Sequence, residues 1–217
     1  KLAKEQDKIE VPTLLKVIIQ NVVEIARTSE YTDLKSGVSA RLGISAYENL
    51  VSTVERRMLQ SGEKKATARL TDLYGIIPSI TGKVELVYEG EEEGPQVVAT
   101  AFIQEAIEEA FDGYFLDPEN IKSNDVDPYG VLRAYFQGGN TVELFNDMTT
   151  KEYKKALDKV KGFDQLIEEA EINNDHRHIY KELILNGLSS KQVLTRSVIA
   201  NKVSYEDPLA NMWDDLN

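Results

Sequence analysis

Apolar residues recur at helical spacing over most of the chain. Leu15, Ile18, Ile19, Val22, Val23 and Ala26 make one wide stripe, which predicts a helix over residues 11–27 with Pro12 in its first turn and one buried face. Leu42, Ala46, Leu50, Val54 and Met58 recur every fourth residue, flanked by Tyr47 and Val51, so a second long helix is predicted to about Gln60, with Gly62 ending it. Glu55, Arg56 and Arg57 are placed on its polar, solvated side. Residues 28–39 between the two helices are polar and broken by Gly37, and read as a loop. Residues 69–77 read as a shorter helix stopped before Pro78, and residues 80–88 fit a helical turn with an extension or a strand.

The broadest stripe follows. Val98, Phe102, Ala106, Ala110 and Tyr114 form one row with Ile103, Ile107, Phe111 and Phe115 beside it, which predicts a central helix over residues 95–115. Residues 131–136 fit a helix or a strand, and Gly138-Gly139-Asn140 is a turn leading to a short extended piece at 141–145. Thr149 with Glu152 has capping-box spacing ahead of Tyr153, Ala156, Leu157 and Val160, and Phe163, Leu166, Ile167 and Ala170 continue the pattern. A further helix is expected to end at Gly187. Ser189 with Gln192 repeats the capping-box spacing before Val193, Leu194, Val198 and Ile199, which predicts one more helix. The fold class is therefore mainly α, with at most a few short strands.

Composition divides this array. Glu89-Gly90-Glu91-Glu92-Glu93-Gly94-Pro95 joins like charges to glycines and has no apolar residue with which to pack, so it is expected to be an exposed linker. The expected organisation is a helical domain over residues 1–88, the acidic linker over 89–95 and a second helical part over 96–217. Residues 205–217 form an acidic tail holding the single tryptophan, Trp213, read as a docked terminus or a partner peptide.

The chemistry available is narrow. The chain has no cysteine and two histidines, which excludes disulfides, thiol catalysis and cysteine-ligated zinc; His176 and His178 lie two apart, on different faces of a helix, so a shared metal is not expected. Asp125-Val126-Asp127-Pro128-Tyr129-Gly130 lacks the late glutamate of a calcium loop and reads as a turn. A formal net charge of −12 argues against nucleic acid as a partner. There is no apolar run that would span a membrane, the first residues are too polar for a signal peptide, and a cytoplasmic location is expected. The closest approach to a P-loop, Ile80-Thr81-Gly82-Lys83-Val84, lacks both the first glycine and the final hydroxyl, so no ATP-hydrolysing core is expected within the chain. Because it opens on Lys1 without a methionine, a fragment of a longer protein is expected.

One stretch invites a functional reading, Ser36-Gly37-Val38-Ser39-Ala40-Arg41-Leu42-Gly43-Ile44-Ser45. It reads as a tight turn opening the second helix, with Ser39 as the N-cap and Arg41 in the first turn. A cation at the positive end of a helix is unfavourable by about 0.3–1 kcal/mol, which poses the question of the anion that offsets it. Phosphate and a surface carboxylate both fit, since a guanidinium and free backbone N–H groups converge there.

Ser36 to Leu42, followed by Ile44-Ser45-Ala46-Tyr47-Glu48 and later Glu55-Arg56-Arg57, resembles the magnesium-chelatase and MoxR-like branch of the AAA+ ATPases over roughly residues 12–90. The resemblance implies a helical lid that follows an ATPase core, with Arg41 matching the sensor-2 arginine that contacts the γ-phosphate of ATP. It further implies ATP and Mg2+ as cofactors of the full-length protein, a core upstream of Lys1, a homo-oligomeric ring and a von Willebrand factor A-type partner. Two other readings remain open at this point. One is a helical scaffold or adaptor without a nucleotide role, and the other is a self-contained enzyme using paired carboxylates, which no spacing specifies.

Overall fold

The computed structural model describes residues 4–33, 35, 37–122, 126–172 and 175–209. Ser36, Asp125 and the tail residues from 210 onward, including Trp213, lie outside them. The described residues form nine α-helices and a few short strands, a mainly α fold. The chain divides into two compact units, Lys1–Ala110 and Phe111–Asn217.

In the first unit, a two-residue strand β1 (Ile9–Glu10) leads into α1 (Thr13–Thr28), which opens two residues later than expected, so that Pro12 holds the N-cap and not the first turn. α2 (Leu42–Ser61) ends on Gly62 in the left-handed conformation, as expected. Leu15, Ile18, Val22 and Ala26 of α1, and Leu42, Ala46, Leu50 and Val54 of α2, are fully buried. Each such aliphatic side chain larger than alanine contributes about 1.5–3 kcal/mol. β2 (Ala66–Thr67) pairs in parallel with β1, Ile9 opposite Ala66.

Residues 70–76 form a 3₁₀ helix that runs directly into α3 (Ile77–Thr81), so Pro78 opens a helix where the sequence reading had it stop one. Its missing N–H is harmless in a first turn. Val84 and Leu86 form isolated β-bridges, and α4 (Tyr88–Glu93) occupies most of the segment read as a linker. Gly90 there lies against the backbone of Tyr31, so close that a Cβ would come within 2.9 Å of its carbonyl oxygen, and the Val87 N–H donates to the same oxygen at 3.0 Å. Packing of the bare glycine backbone thus places the acidic run on a helix. The division into units falls further on, within α5 (Pro95–Tyr114), whose two expected apolar rows are buried except for Tyr114, 42% exposed.

In the second unit, residues 130–137 resolve as helix α6 (Gly130–Gln137) and residues 142–145 as strand β3 (Val142–Phe145). The Thr149 capping box is formed: its hydroxyl accepts from the Glu152 N–H and the Glu152 carboxylate accepts from the Thr149 N–H, at the start of α7 (Thr150–Asp158). α8 (Phe163–Glu169) follows. α9 (Arg177–Ser190) runs past Gly187, which was expected to end it, because that glycine is the contact point for the Phe111 ring and a side chain there would overlap the ring.

The helix expected after Ser189 is absent. β4 (Thr195–Ile199) and β5 (Lys202–Glu206) form a hairpin that joins β3 in an antiparallel sheet of order β3-β5-β4, with Val142 opposite Tyr205 and Ile199 opposite Lys202. Ser189 and Ser190 finish α9 instead of capping a new helix. The segment Thr195 to Ile199, with β-branched Thr195, Val198 and Ile199, finds backbone partners in β5, a gain that local spacing does not reveal.

Candidate functional site

The segment that delivers Arg41 is pinned rather than loose. Antiparallel bridges join Thr32 to Leu86 and Val38 to Val84. The Asp33 N–H donates to Glu85 O at 2.9 Å, Ser39 N–H to Lys83 O at 3.0 Å and Glu85 N–H to Gly37 O at 3.1 Å. Gly37 has φ +53°, and a Cβ there would sit 3.2 Å from the Asp33 carbonyl oxygen, so the turn calls for glycine.

The helix opens two residues later than expected. Arg41 itself holds the N-cap position of α2, with φ −92° and ψ 0°, and no side chain caps the helix. Ser39 stands two residues ahead, its carbonyl accepting from Leu42 N–H at 2.9 Å and its hydroxyl from Arg41 N–H at 3.3 Å. The serine therefore shapes the entry turn: its carbonyl takes the first N–H of the helix, and its hydroxyl caps no N–H within it.

Arg41 is exposed, and among the described residues its guanidinium has no hydrogen-bond or ion-pair partner. The first turn of α2 carries no acidic residue, so the positive end of the helix dipole is also uncompensated. A guanidinium beside an unneutralised helix start is a place where an anion gains and a cation loses.

Next to it lies a groove of about 720 Å³ between α1 and the start of α2. Its apolar wall comprises Ile19, Val23, Ala40, Ile44 and Tyr47. The sequence reading buried the whole apolar face of α1, yet Val23 is only half-buried, and Ile44 is 63% exposed. Gly43 faces the Val23 side chain, where a Cβ would stand 3.6 Å from Cγ2, an ordinary contact.

The second arginine of the sequence motif behaves differently. Arg57, expected on the solvated side of α2, is 3% exposed. It grips Asp72 through Nε to Oδ1 at 3.2 Å and Nη2 to Oδ2 at 2.9 Å, and Nη2 also donates to Thr67 O at 2.8 Å. Asp72 Oδ2 accepts from the Arg69 N–H at 2.8 Å as well, closing the start of the 3₁₀ helix. The signal was present: Arg57 lies three residues after Val54 and next to Met58, on the edge of the buried row. Asp72 carried no such signal. Arg56 is exposed and Glu55 accepts from Gln6 Nε2 at 3.0 Å.

In the second unit, charged side chains tie α7, α8 and α9. Lys181 Nζ lies 2.8 Å from Asp158 Oδ1 and 3.2 Å from Asp164 Oδ1, His178 Nε2 lies 2.9 Å from the same Asp158 oxygen, and Tyr153 donates to the fully buried Glu182 at 2.7 Å. Burial pushes the Asp158 carboxyl upward, but the Lys181 hydrogen bond and the His178 and Lys181 charges together hold it below its ordinary value. Burial first, and the Lys181 and Lys154 charges after it, hold His178 below its ordinary value against the raising effect of Asp158. Tyr129, buried and bonded to Leu116 O at 2.5 Å, is pushed well above the ordinary phenol value by burial first and by Asp127, Asp117 and Asp112 next. Among the described residues no three His, Asp or Glu side chains converge to hold a metal ion.

No protein-family model, curated protein or solved structure matches the chain. Among the described residues no helix is long and apolar enough to cross a membrane.

Proposed function

We propose that this chain works as the lid and helical extension of a magnesium-chelatase- or MoxR-like AAA+ ATPase, in which Arg41 senses the γ-phosphate of ATP. The observation that carries the reading is the state of Arg41: exposed, without a partner among the described residues, at a helix start that no side chain caps, and held there by a braced turn. The motif resemblance around residues 36–57 supports it. In this reading ATP and Mg2+ are held by a P-loop core outside these residues, the subunits form a cytoplasmic ring, and a von Willebrand factor A-type protein links the ring to its client. A single arginine and a helix end do not replace a phosphate-cradling loop with its lysine and metal, so the chain alone is expected neither to hydrolyse ATP nor to bind it at micromolar concentrations.

The test is Arg41→Ala in the protein joined to its core. Turnover should fall by about tenfold or more, because charge stabilisation of a transferring phosphoryl group is a large catalytic contribution. Thermal stability should stay within about 0.5 kcal/mol, as for other exposed substitutions. Unchanged turnover would remove the sensor role. The groove beside Arg41 favours a second reading, a scaffold that docks a peptide without any nucleotide; it gains if turnover ignores Arg41 while binding depends on Ile44.

A further inference from the structure

The most basic stretch of this acidic chain lies along α7 and just beyond it. Lys151, Lys154, Lys155, Lys159 and Lys161 fall between positions 151 and 161, and all are exposed, although the formal net charge of the chain is −12. The helix has two acids of its own, and both are engaged elsewhere. The Glu152 carboxylate accepts from the Thr149 N–H at 2.9 Å and from its hydroxyl at 2.7 Å, and one Asp158 oxygen takes both Lys181 and His178. Tyr153 and Leu157 turn the other side of the helix inward. Among the described residues none of the five lysines forms an ion pair.

The first unit carries the opposite surface on α4. Glu89, Glu91, Glu92 and Glu93 are exposed, and among the described residues none of them is in an ion pair. Tyr88 at the head of that helix is 71% exposed, and its hydroxyl donates to Glu92 at 2.7 Å, so an aromatic ring stands in water among carboxylates. Such a surface suits lysine twice over. The ring accepts the apolar stem of the side chain and the carboxylates take its ammonium group. The spacing agrees as well, because Lys151 and Lys155 stand one helical turn apart, as Glu89 and Glu93 do.

We propose that the lysine face of α7 in one copy of this chain docks on the acidic α4 of a second copy. Exposed ion pairs are individually weak, so the contact draws on several at once and on the Tyr88 ring. Each patch repels its own kind, so the two surfaces that meet are different ones, and a head-to-tail contact of that sort gives a ring where its rotation closes. The contact is argued from charge and exposure and does not rest on the ATPase reading.

The test is sedimentation equilibrium of the full chain with charge reversals at exposed positions, each variant checked for its fold by circular dichroism. The unaltered chain should associate as its concentration rises. Lys151→Glu with Lys155→Glu should weaken association at least tenfold, whereas Lys64→Glu with Lys65→Glu, exposed lysines outside both patches that change the net charge equally, should leave it within a few-fold. Glu89→Lys with Glu93→Lys should also weaken it at least tenfold. That variant decides between a specific contact and overall charge, because it lowers the net negative charge and would strengthen association if general repulsion alone set it. The two defective variants mixed in equal amounts should associate again, since the intact lysine face of one then meets the intact glutamates of the other.

A chain that stays monomeric up to hundreds of micromolar overturns the proposal, and so does one that stays monomeric while a polyglutamate peptide binds its lysine face, because the acidic partner is then not a second copy. Stronger association of the glutamate variant, an equal loss in the Lys64 and Lys65 control, or no recovery on mixing each overturns it too. The ATPase measurement on Arg41→Ala is separate: if turnover ignores Arg41 while association depends on both patches, the sensor reading alone falls.

Discussion

Two arginines on the same helix, sixteen positions apart, live in opposite conditions. At the far end of α2, Arg57 is enclosed and gives two hydrogen bonds to Asp72 and one to a carbonyl oxygen. At its start, Arg41 extends into water beside a helix terminus with no acid in its first turn. A guanidinium in the interior is tolerable only when its partners replace water, and here the partners come from residues 67 and 72, brought in by β2 and the 3₁₀ helix. A guanidinium kept free at the surface contributes little to folding. The difference separates an arginine that the fold needs from one that the fold presents.

The sharpest way to break this comparison is to remove a partner of Arg57. Asp72→Ala leaves an enclosed charge without its counter-ion and should lower unfolding free energy by about 3–5 kcal/mol in a denaturant titration. Replacing both Arg57 and Asp72 with apolar residues of similar volume should recover much of that loss, because neither charge then stays stranded. If Asp72→Ala costs no more than a surface change, the contrast with Arg41 disappears.

Arg41→Ala is the counterpart, with the largest effect expected on turnover of the core-joined protein and almost none on the melting temperature. Between these two lies Gly37, which shapes the turn ahead of Arg41. Gly37→Ala forces an L-residue to φ +53° against a carbonyl oxygen 3.2 Å away, and should cost about 1–2 kcal/mol. If it lowers turnover beyond what its stability loss explains, positioning by the braced turn matters as well as charge.

The smallest effect is expected in the second unit, where the charged groups are partnered but partly wet. Asp158 and His178 both have folded-state values below their ordinary ones. For each, the folded state binds its proton less readily than the unfolded chain does. Their contribution is therefore fully present above the unfolded values, near 6.5 for histidine and 3.9 for aspartate, and is lost as pH falls. Melting temperature should drop modestly on acidification from about pH 7 to 5, a range assigned here to His178, and His178→Gln should flatten that part of the profile. A melting temperature that rises on acidification through this range would contradict the sign.

The helices of this chain were legible because burial of one face imposes a period that the sequence must carry. The rows through Leu42 to Met58 and Val98 to Phe111 mark α2 and α5 directly, and the Thr149 to Glu152 pair marks the start of α7, since capping is chemistry between neighbours. That Arg41 lies close to a helix start was legible for the same reason, although it holds the N-cap and not the first turn that the sequence suggests. Wherever the outcome depended on residues distant in the chain, the sequence was silent or misleading. Thr195 to Ile199 became a strand because β5 lay alongside, Gly187 stayed within a helix because Phe111 needed the space, and the acidic run at 89–93 became helical where Gly90 met Tyr31. Arg57 shows the limit most plainly. Its position on the helix was written in the spacing, but its burial waited on Asp72, fifteen residues on, because a charge can leave water only where the tertiary structure supplies what water gave.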